Sequence, residues 1–280
     1  MSMDNFAAFI LTNGRPFNVI TYNSLRKQGY TGRIVIVIDD LDKCKDDYLA
    51  QFQDQVYIFD KKAIARKFDT GDNFNDMRSI VYARNASFEI ARKLKIKYFI
   101  QLDDDYTNFN YRIYETCKSI RNLDKVFDSL LKFYQATTVA TITISQGGDF
   151  IGGKKSQNYY KVSQRKAMNS FICSIDRPFK FIGRINEDVN TYTSTASTGL
   201  LMFTFNRLCL QQLQSQSNFG GMTELYLDSG TYLKSFYTVM YQPSSVKIKL
   251  MQSKHPRLHH SIKWDRTVPM ILNEAVKKKW

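Results

Sequence analysis

The sequence predicts an α/β domain, a parallel sheet covered by helices on both faces. Apolar runs of strand length alternate with helix-length segments through the first half of the chain. Two of those runs end in carboxylates, Asp39-Asp40 and Asp103-Asp104-Asp105. Hydrophobic residues make up 43% of the 280 residues, with 20 Phe and 17 Tyr, so the chain can bury a large core and is not disordered.

The elements follow in order. Residues 6–11 read as a buried strand. Asn13-Gly14-Arg15-Pro16 is a turn into a helix that stops at Gly29, with Pro16 suited to the first turn. Residues 33–38 (Arg-Ile-Val-Ile-Val-Ile) form the clearest strand. A helix over 43–52, a strand over 55–59 and a short helix over 61–68 lead to the polar loop 71–76. A long helix over 76–94 and a strand over 98–102 then deliver Asp103-Asp104-Asp105. Beyond them a helix over 122–135 precedes strands at 139–145, 170–175 and 200–205, with a glycine-containing loop from Gln146 to Gly153. No repeat or linker divides the chain, so one domain with a basic C-terminal extension is expected. In sheets of this kind ligands bind beyond the carboxyl ends of the strands, where the Asn13-Gly14-Arg15 turn and both acidic groups fall.

No apolar run approaches the roughly 18 residues a membrane span needs. The 6–11 stretch is too short for a secretory signal, so a cytoplasmic protein is expected. Cys44, Cys117, Cys173 and Cys209 contain no Cys-x-x-Cys pair and read as small core residues. The net charge of +14 is segregated. Residues 154–184 and 247–280 each carry an excess of seven positive charges, and the remainder balances. Such segments suit a polyanion, nucleic acid above all. The inner segment interleaves its bases with Tyr159, Tyr160, Phe171, Phe179 and Phe181, which suggests base stacking. Solvated loops are the plainer alternative.

Three adjacent carboxylates at a strand end repel one another, and a cation is their natural compensation. Oxygen ligands suit Mg²⁺ or Mn²⁺. Strand alternation puts Asp103 and Asp105 on one side and Asp104 on the other. Arg84 interrupts the helical apolar stripe Met77, Ile80, Phe88, Ala91, so it must find an anion: an internal carboxylate, or a nucleotide that Asn85 beside it also reads. Glu187-Asp188 offers a general base for an acceptor hydroxyl, or a cap for a helix beginning near Val189. His255, His259 and His260 cluster near the C-terminus, with Lys263 and Trp264 following. His259 or His260 reaches a metal or phosphate in one reading and lies on a solvated basic strand in the other. A rival reading takes Asp103-x-Asp105-x-Thr107 as the motif of a haloacid-dehalogenase-like phosphatase, with Asp103 as nucleophile. A third takes the chain as a DNA-binding protein without catalysis.

The stretches 12–16, 21–30 and 34–39, with Gly71–Asp76, Tyr82-Ala83-Arg84-Asn85, 101–106, 146–153, 186–188 and 259–264, resemble the GT-A glycosyltransferases. More narrowly, they resemble the phage-encoded enzymes associated with base-hydroxylating dioxygenases, relatives of the base-J glucosyltransferase. The resemblance implies a mixed, mostly parallel Rossmann-like sheet flanked by helices. It places a sugar-nucleotide half at 1–106, an acceptor half at 107–246 and a basic segment at 247–280. A nucleoside-diphosphate sugar, most often UDP-linked, would contact Thr12, Asn13, Gly14, Arg15, Asp39, Arg84, Asn85, Asp103, Asp104, Lys263 and Trp264. Asp103 and Asp105 would hold Mn²⁺ or Mg²⁺ as the Asp-x-Asp motif, with His259 or His260 as a further ligand. The acceptor would be the hydroxymethyl group of a modified pyrimidine in DNA, flipped from the duplex. Asp188, or Glu187 in its place, would be the base. Whether transfer inverts or retains, and whether the base is cytosine or uracil, stays open.

Overall fold

The computed structural model describes residues 5–72, 76–146, 159–213, 233–251 and 256–277. Residues 73–75, the 147–153 part of the glycine loop, Lys154, Lys155, His255 and Lys278–Lys279 lie outside the described residues. In chain order the elements are β1 (Phe6–Leu11), α1 (Ile20–Lys27), β2 (Arg33–Asp39), α2 (Lys45–Phe52), β3 (Val56–Phe59), α3 (Lys61–Ala65), α4 (Val81–Lys93) and β4 (Tyr98–Asp103). Then come β5 (Tyr106–Ile113), β6 (Thr116–Ser119), α5 (Leu123–Ala136), β7 (Thr141–Gln146), β8 (Phe171–Ser174), α6 (Glu187–Ser194), β9 (Met202–Gln212), β10 (Val246–Met251) and β11 (Arg257–Ile262). Residues 233–241 are also helical.

Among the described residues nine strands form one mixed sheet in the order β3-β2-β1-β4-β8-β7-β9-β5-β6. The first four are parallel, with Leu11 in register with both Val37 and Asp103. That register brings the ends of β1, β2 and β4 together. Beyond β4 the pairings are antiparallel except for β7 with β9. Every side chain of β1 is buried. Phe6, Ala8 and Ile10 join the core beneath α5, and Ala7, Phe9 and Leu11 join the core beneath α4. Two-residue alternation between two apolar layers explains why this strand reads as a continuous hydrophobic run. Among the described residues no helix is long and apolar enough to cross a membrane.

The structure departs from the sequence reading in four places. First, α4 starts at Val81 rather than 76, because Asp76 accepts from the Arg78 backbone N–H at 2.9 Å and holds 76–80 as a turn. Second, the β5–β6 hairpin was not foreseen. A register shift between Tyr106 and Asn108 breaks the alternation, and Tyr114 takes the positive φ of 55° that a glycine or asparagine usually announces. Third, Cys173 and Cys209 are core residues and Cys44 is half-buried, but Cys117 is exposed on β6. Fourth, the basic C-terminal extension folds back. β10 and β11 pair as a separate hairpin, Ile262 and Trp264 pack on the main core, and Asn273 donates to Gly199 O at 3.0 Å.

Candidate active site at the carboxyl ends of the parallel strands

A cavity of about 550 Å³ opens where β1, β2, β3 and β4 end. Thr12, Asn13 and Arg15 come from the turn after β1, Asp39 ends β2, and Lys61 opens α3. Met77–Ile80 and Ala83 form the wall before and within α4, and Asp103, Asp104 and Asp105 form the floor after β4. The volume suits a ligand of nucleotide size.

The turn after β1 is built by short polar bonds. Thr12 Oγ1 donates to Asp104 at 2.6 Å, and Asn13 donates to Asp39 at 3.1 Å. Gly14 sits at φ +68°, its N–H on Asp42 at 2.8 Å, and the Arg15 N–H donates to the Tyr48 hydroxyl at 2.8 Å. An added Cβ at Gly14 would touch nothing, so glycine serves the left-handed backbone rather than space. Thr21 fastens α1 to the acidic loop, donating to Asp103 O at 2.6 Å and accepting from the Tyr106 N–H at 2.9 Å.

The three aspartates have different partners. Asp103 Oδ1 accepts from Arg84 at 2.8 Å. Asp104 pairs with Arg15 at 3.2 Å in addition to its Thr12 bond. Asp105 Oδ1 is buried with no hydrogen-bond partner among the described residues. Burial pushes the Asp103 carboxyl up to about 7, against the pull of Arg84 and with the help of Asp105. Burial and the charge of Asp104 push Asp105 up to about 6. Burial also raises Asp104, despite Arg15. Two of the three carboxylates thus have an arginine partner, Asp103 with Arg84 and Asp104 with Arg15. An orphaned buried carboxylate oxygen beside a second carboxylate fits a hard divalent cation such as Mg²⁺ or Mn²⁺.

Arg84 is 1% exposed. It joins Asp103 to Glu187, whose Oε1 accepts from Nε at 3.1 Å, and it lies over the rings of Phe171 and Phe181. Burial alone would lower its pKa; the charges of Asp103 and Glu187 overcome this and raise it. Its partner is thus the internal carboxylate pair, and it stands behind the floor instead of lining the cavity. Asn85 departs further from expectation. Its amide donates to Phe181 O at 2.9 Å and accepts from Phe181 N–H at 2.9 Å, so its polar ends tie α4 to the chain at Phe181 and do not face the cavity.

Glu187 and Asp188 occupy the first turn of α6, where carboxylates favour the helix dipole. Neither lines the cavity. Burial and Asp188 raise the Glu187 pKa, and Asp188 Oδ1 accepts from the Val189 N–H at 2.8 Å. Arg84 links Glu187 to Asp103.

His259 and His260 sit on β11, and the structure does not bring them to the aspartates. His259 Nδ1 lies 2.8 Å from His260 O, and burial, then His259, Lys234 and Lys166, lower the His260 pKa to about 3. Among the described residues no group of three or more His, Cys, Asp or Glu side chains is arranged to hold a metal ion. Lys263 is exposed, and Trp264 stacks on Tyr192 of α6 at 5.8 Å; neither lines the cavity.

Sequence reasoning missed Lys61 and Arg78. Lys61 pairs with Asp39 at 3.0 Å, and Arg78 with Asp76 at 2.8 Å. Lys61 follows a strand end, a signal applied to β1, β2 and β4 but not to β3. The inner basic segment is corrected as well. Arg184 is buried and pairs with Asp72 at 3.0 Å and Asp76 at 3.1 Å, anchoring the cavity wall. Arg177 donates to Val139 O at 2.9 Å, and Arg165 is buried with Nη1 on Lys161 O. Phe171, Phe179 and Phe181 are buried in the core.

A cavity of this kind, at the carboxyl ends of parallel strands and lined by carboxylates and cations, defines an α/β fold that handles a charged ligand. The profile of the TET-Associated Glycosyltransferase family matches residues 6–221, and the chain belongs to that family. The matched residues carry β1 to β9, the whole of the mixed sheet. Membership does not favour the phosphatase and the non-catalytic readings. The pairing of Asp103 with buried Arg84 also ill suits a nucleophile. No curated protein matches the chain. Among solved structures, TarS of S. aureus is similar at 11% identity and a TM-score of 0.43, over 73% of this chain and 36% of that one. GalNAc-T7 with UDP, GalNAc and Mn²⁺ is similar at 11% identity and a TM-score of 0.42, over 84% of this chain and 50% of that one. The chain thus spans about a third of the TarS chain and half of the GalNAc-T7 chain.

Proposed function

We propose that the protein moves a sugar from a nucleoside diphosphate, UDP by preference, to the hydroxyl of a 5-hydroxymethylpyrimidine in DNA. The observation that carries this reading is the cavity floor, where Asp105 Oδ1 is buried without a hydrogen-bond partner among the described residues and Asp103 and Asp104 lie in one lining with Arg15, Lys61 and Arg78. The family's association with TET supports a modified base as acceptor. The two basic segments support a polyanion, even after the buried arginines are set aside.

Residues 1–106 supply the donor half and 107–246 the acceptor half of one domain. The turn Thr12–Arg15 and Asp39 hold the nucleotide, and Lys61 positions Asp39. Arg15 and Arg78 line the same cavity and would turn from Asp104 and Asp76 to the diphosphate. Mn²⁺ or Mg²⁺, held by Asp103 and Asp105, would neutralise charge on the departing diphosphate. Arg84 keeps Asp103 oriented. On an inverting route Asp188, at the first turn of α6 beside the lining, would take the proton from the acceptor hydroxyl, since Glu187 already accepts from Arg84.

Mass spectrometry of hydroxymethylated DNA, after incubation with UDP-sugars and Mn²⁺, is expected to show a mass gain of one sugar residue on the modified base. Folded protein that yields no such product with any nucleoside-diphosphate sugar would overturn the proposal. In the same assay Asp188→Asn is expected to keep donor binding and lose at least 100-fold in product formation, the usual range of a general base. Undiminished transfer removes Asp188 from that role.

A further inference from the structure

Resting on the reading of the cavity as the donor site, we infer that Arg184 is a positioning residue for sugar transfer. It locks the wall that faces the nucleotide to the start of α6, where the proposed base Asp188 lies. Arg184 is 2% exposed and is not part of the cavity lining, so it acts through the residues it holds. Each polar group of the residue grips a different point of the wall. Its N–H donates to Thr70 O at 2.8 Å, its guanidinium meets Asp72 at 3.0 Å and Asp76 at 3.1 Å, and its carbonyl accepts from Ser79 Oγ at 2.6 Å. Ser79 lines the cavity, and Asp76 pairs with Arg78, which lines it too. A shift of Arg184 therefore moves the cavity wall.

The same residue is tied to α6. Asn190 of α6 donates to Ile182 O at 3.2 Å and to Ile185 O at 2.9 Å, so the chain on both sides of Arg184 is bonded to the helix that begins at Glu187. Asn186 takes a left-handed φ of 62°, which a residue other than glycine rarely adopts, and its amide donates to Thr238 Oγ1 at 2.8 Å. The helix over 233–241 backs both sides of this joint. Its Tyr237 hydroxyl donates to Asp72, and its Tyr241 ring stands so near Gly183 that an added Cβ there would meet it at 2.7 Å.

Stability does not account for such a joint. A buried ion pair contributes little beyond a well-packed apolar contact in its place. What a planar guanidinium between two carboxylates fixes is geometry, and lysine, a point charge, does not reproduce the fork. Transfer is sensitive to that geometry: a displacement of about 1 Å caused by a distant substitution costs up to about 10²-fold in rate.

Hydrogen exchange of the full chain, with UDP and Mn²⁺ as the probe, tests this beside the rate of transfer. In the wild type the probe is expected to slow exchange in the 11–15 turn, which lines the cavity, and also over 182–186, which does not. Arg184→Lys is expected to keep the slowing at 11–15, to lose it at 182–186, and to lower sugar transfer about 10²-fold. Ser79→Ala removes only a hydroxyl from the joint and changes no charge. It is expected to lose part of the slowing at 182–186, and it decides the matter where the lysine variant does not fold. The exchange measurement needs no acceptor, so it stands whatever the acceptor is. A wild type slowed at 11–15 but not at 182–186 overturns this inference alone. So do variants that exchange faster throughout yet keep the wild-type difference on adding the probe, the mark of a purely structural role. A wild type slowed at neither segment overturns the donor reading and this inference together.

Discussion

Asp105→Asn is expected to lower sugar transfer about 10³-fold while raising the melting temperature of the metal-free protein. The loss follows if Asp105 holds a divalent ion against the diphosphate: several kcal/mol of charge stabilisation disappear, at about 1.4 kcal/mol per decade of rate. The gain follows from burial. Asp105 Oδ1 has no hydrogen-bond partner among the described residues, and its carboxyl is pushed up to about 6 by burial and by Asp104. A carboxylate whose pKa rises on folding costs stability above that pKa, and the cost vanishes below the unfolded value. Near neutral pH the cost is on the order of 1–2 kcal/mol after discounting its partial exposure. Removing it raises the melting temperature by about 2–6 °C. Scanning fluorimetry with and without Mn²⁺, beside a donor-binding titration, measures both arms. A variant that melts lower, or that keeps metal-dependent donor binding, removes Asp105 from the floor's metal-holding role.

The parts of the fold legible in the sequence were those whose residues are buried on both sides. β1 and β2 carry continuous apolar runs and β4 one interrupted by the buried Gln101, because helices cover both faces, and the ends of β2 and β4 announced Asp39 and Asp103–Asp105. Arg84 was legible for the same reason: a charge on an apolar stripe requires an anion, and the sequence left only its identity open. What escaped was whatever depends on a distant partner. Counting charge could not tell Arg184, spent on Asp72 and Asp76, from an arginine facing solvent. Nor could it tell that Phe171 and Phe181 lie under Arg84 rather than under a nucleobase. The β5–β6 hairpin was hidden by a turn without glycine and by the irregularity of β5 where its pairing with β9 shifts register. Arg78 was missed because the start of α4 was placed too early, which turned a cavity wall into a helix face.

Arg84→Met is expected to cost about 3–5 kcal/mol of stability and to abolish transfer, because it leaves Asp103 and Glu187 as buried charges without their shared cation. Nη2 and Nε of one planar guanidinium meet the two carboxylates at 2.8 and 3.1 Å, with aromatic rings beside it. Lysine cannot reproduce that fork, so Arg84→Lys should fall on the same side. For a chain of this size the loss lowers the melting temperature by about 6–20 °C. A nucleotide-contacting arginine would behave otherwise: its removal would raise the donor KM and leave melting nearly unchanged. Glu187→Gln separates the two cases. Combined with Arg84→Met it removes one of the two stranded charges, and the double variant should recover part of the lost stability, a coupling of at least 1 kcal/mol. Additive effects of the two substitutions, or a melting temperature for Arg84→Met within 2 °C of the wild type, would show that Arg84 does not hold the catalytic floor to α6.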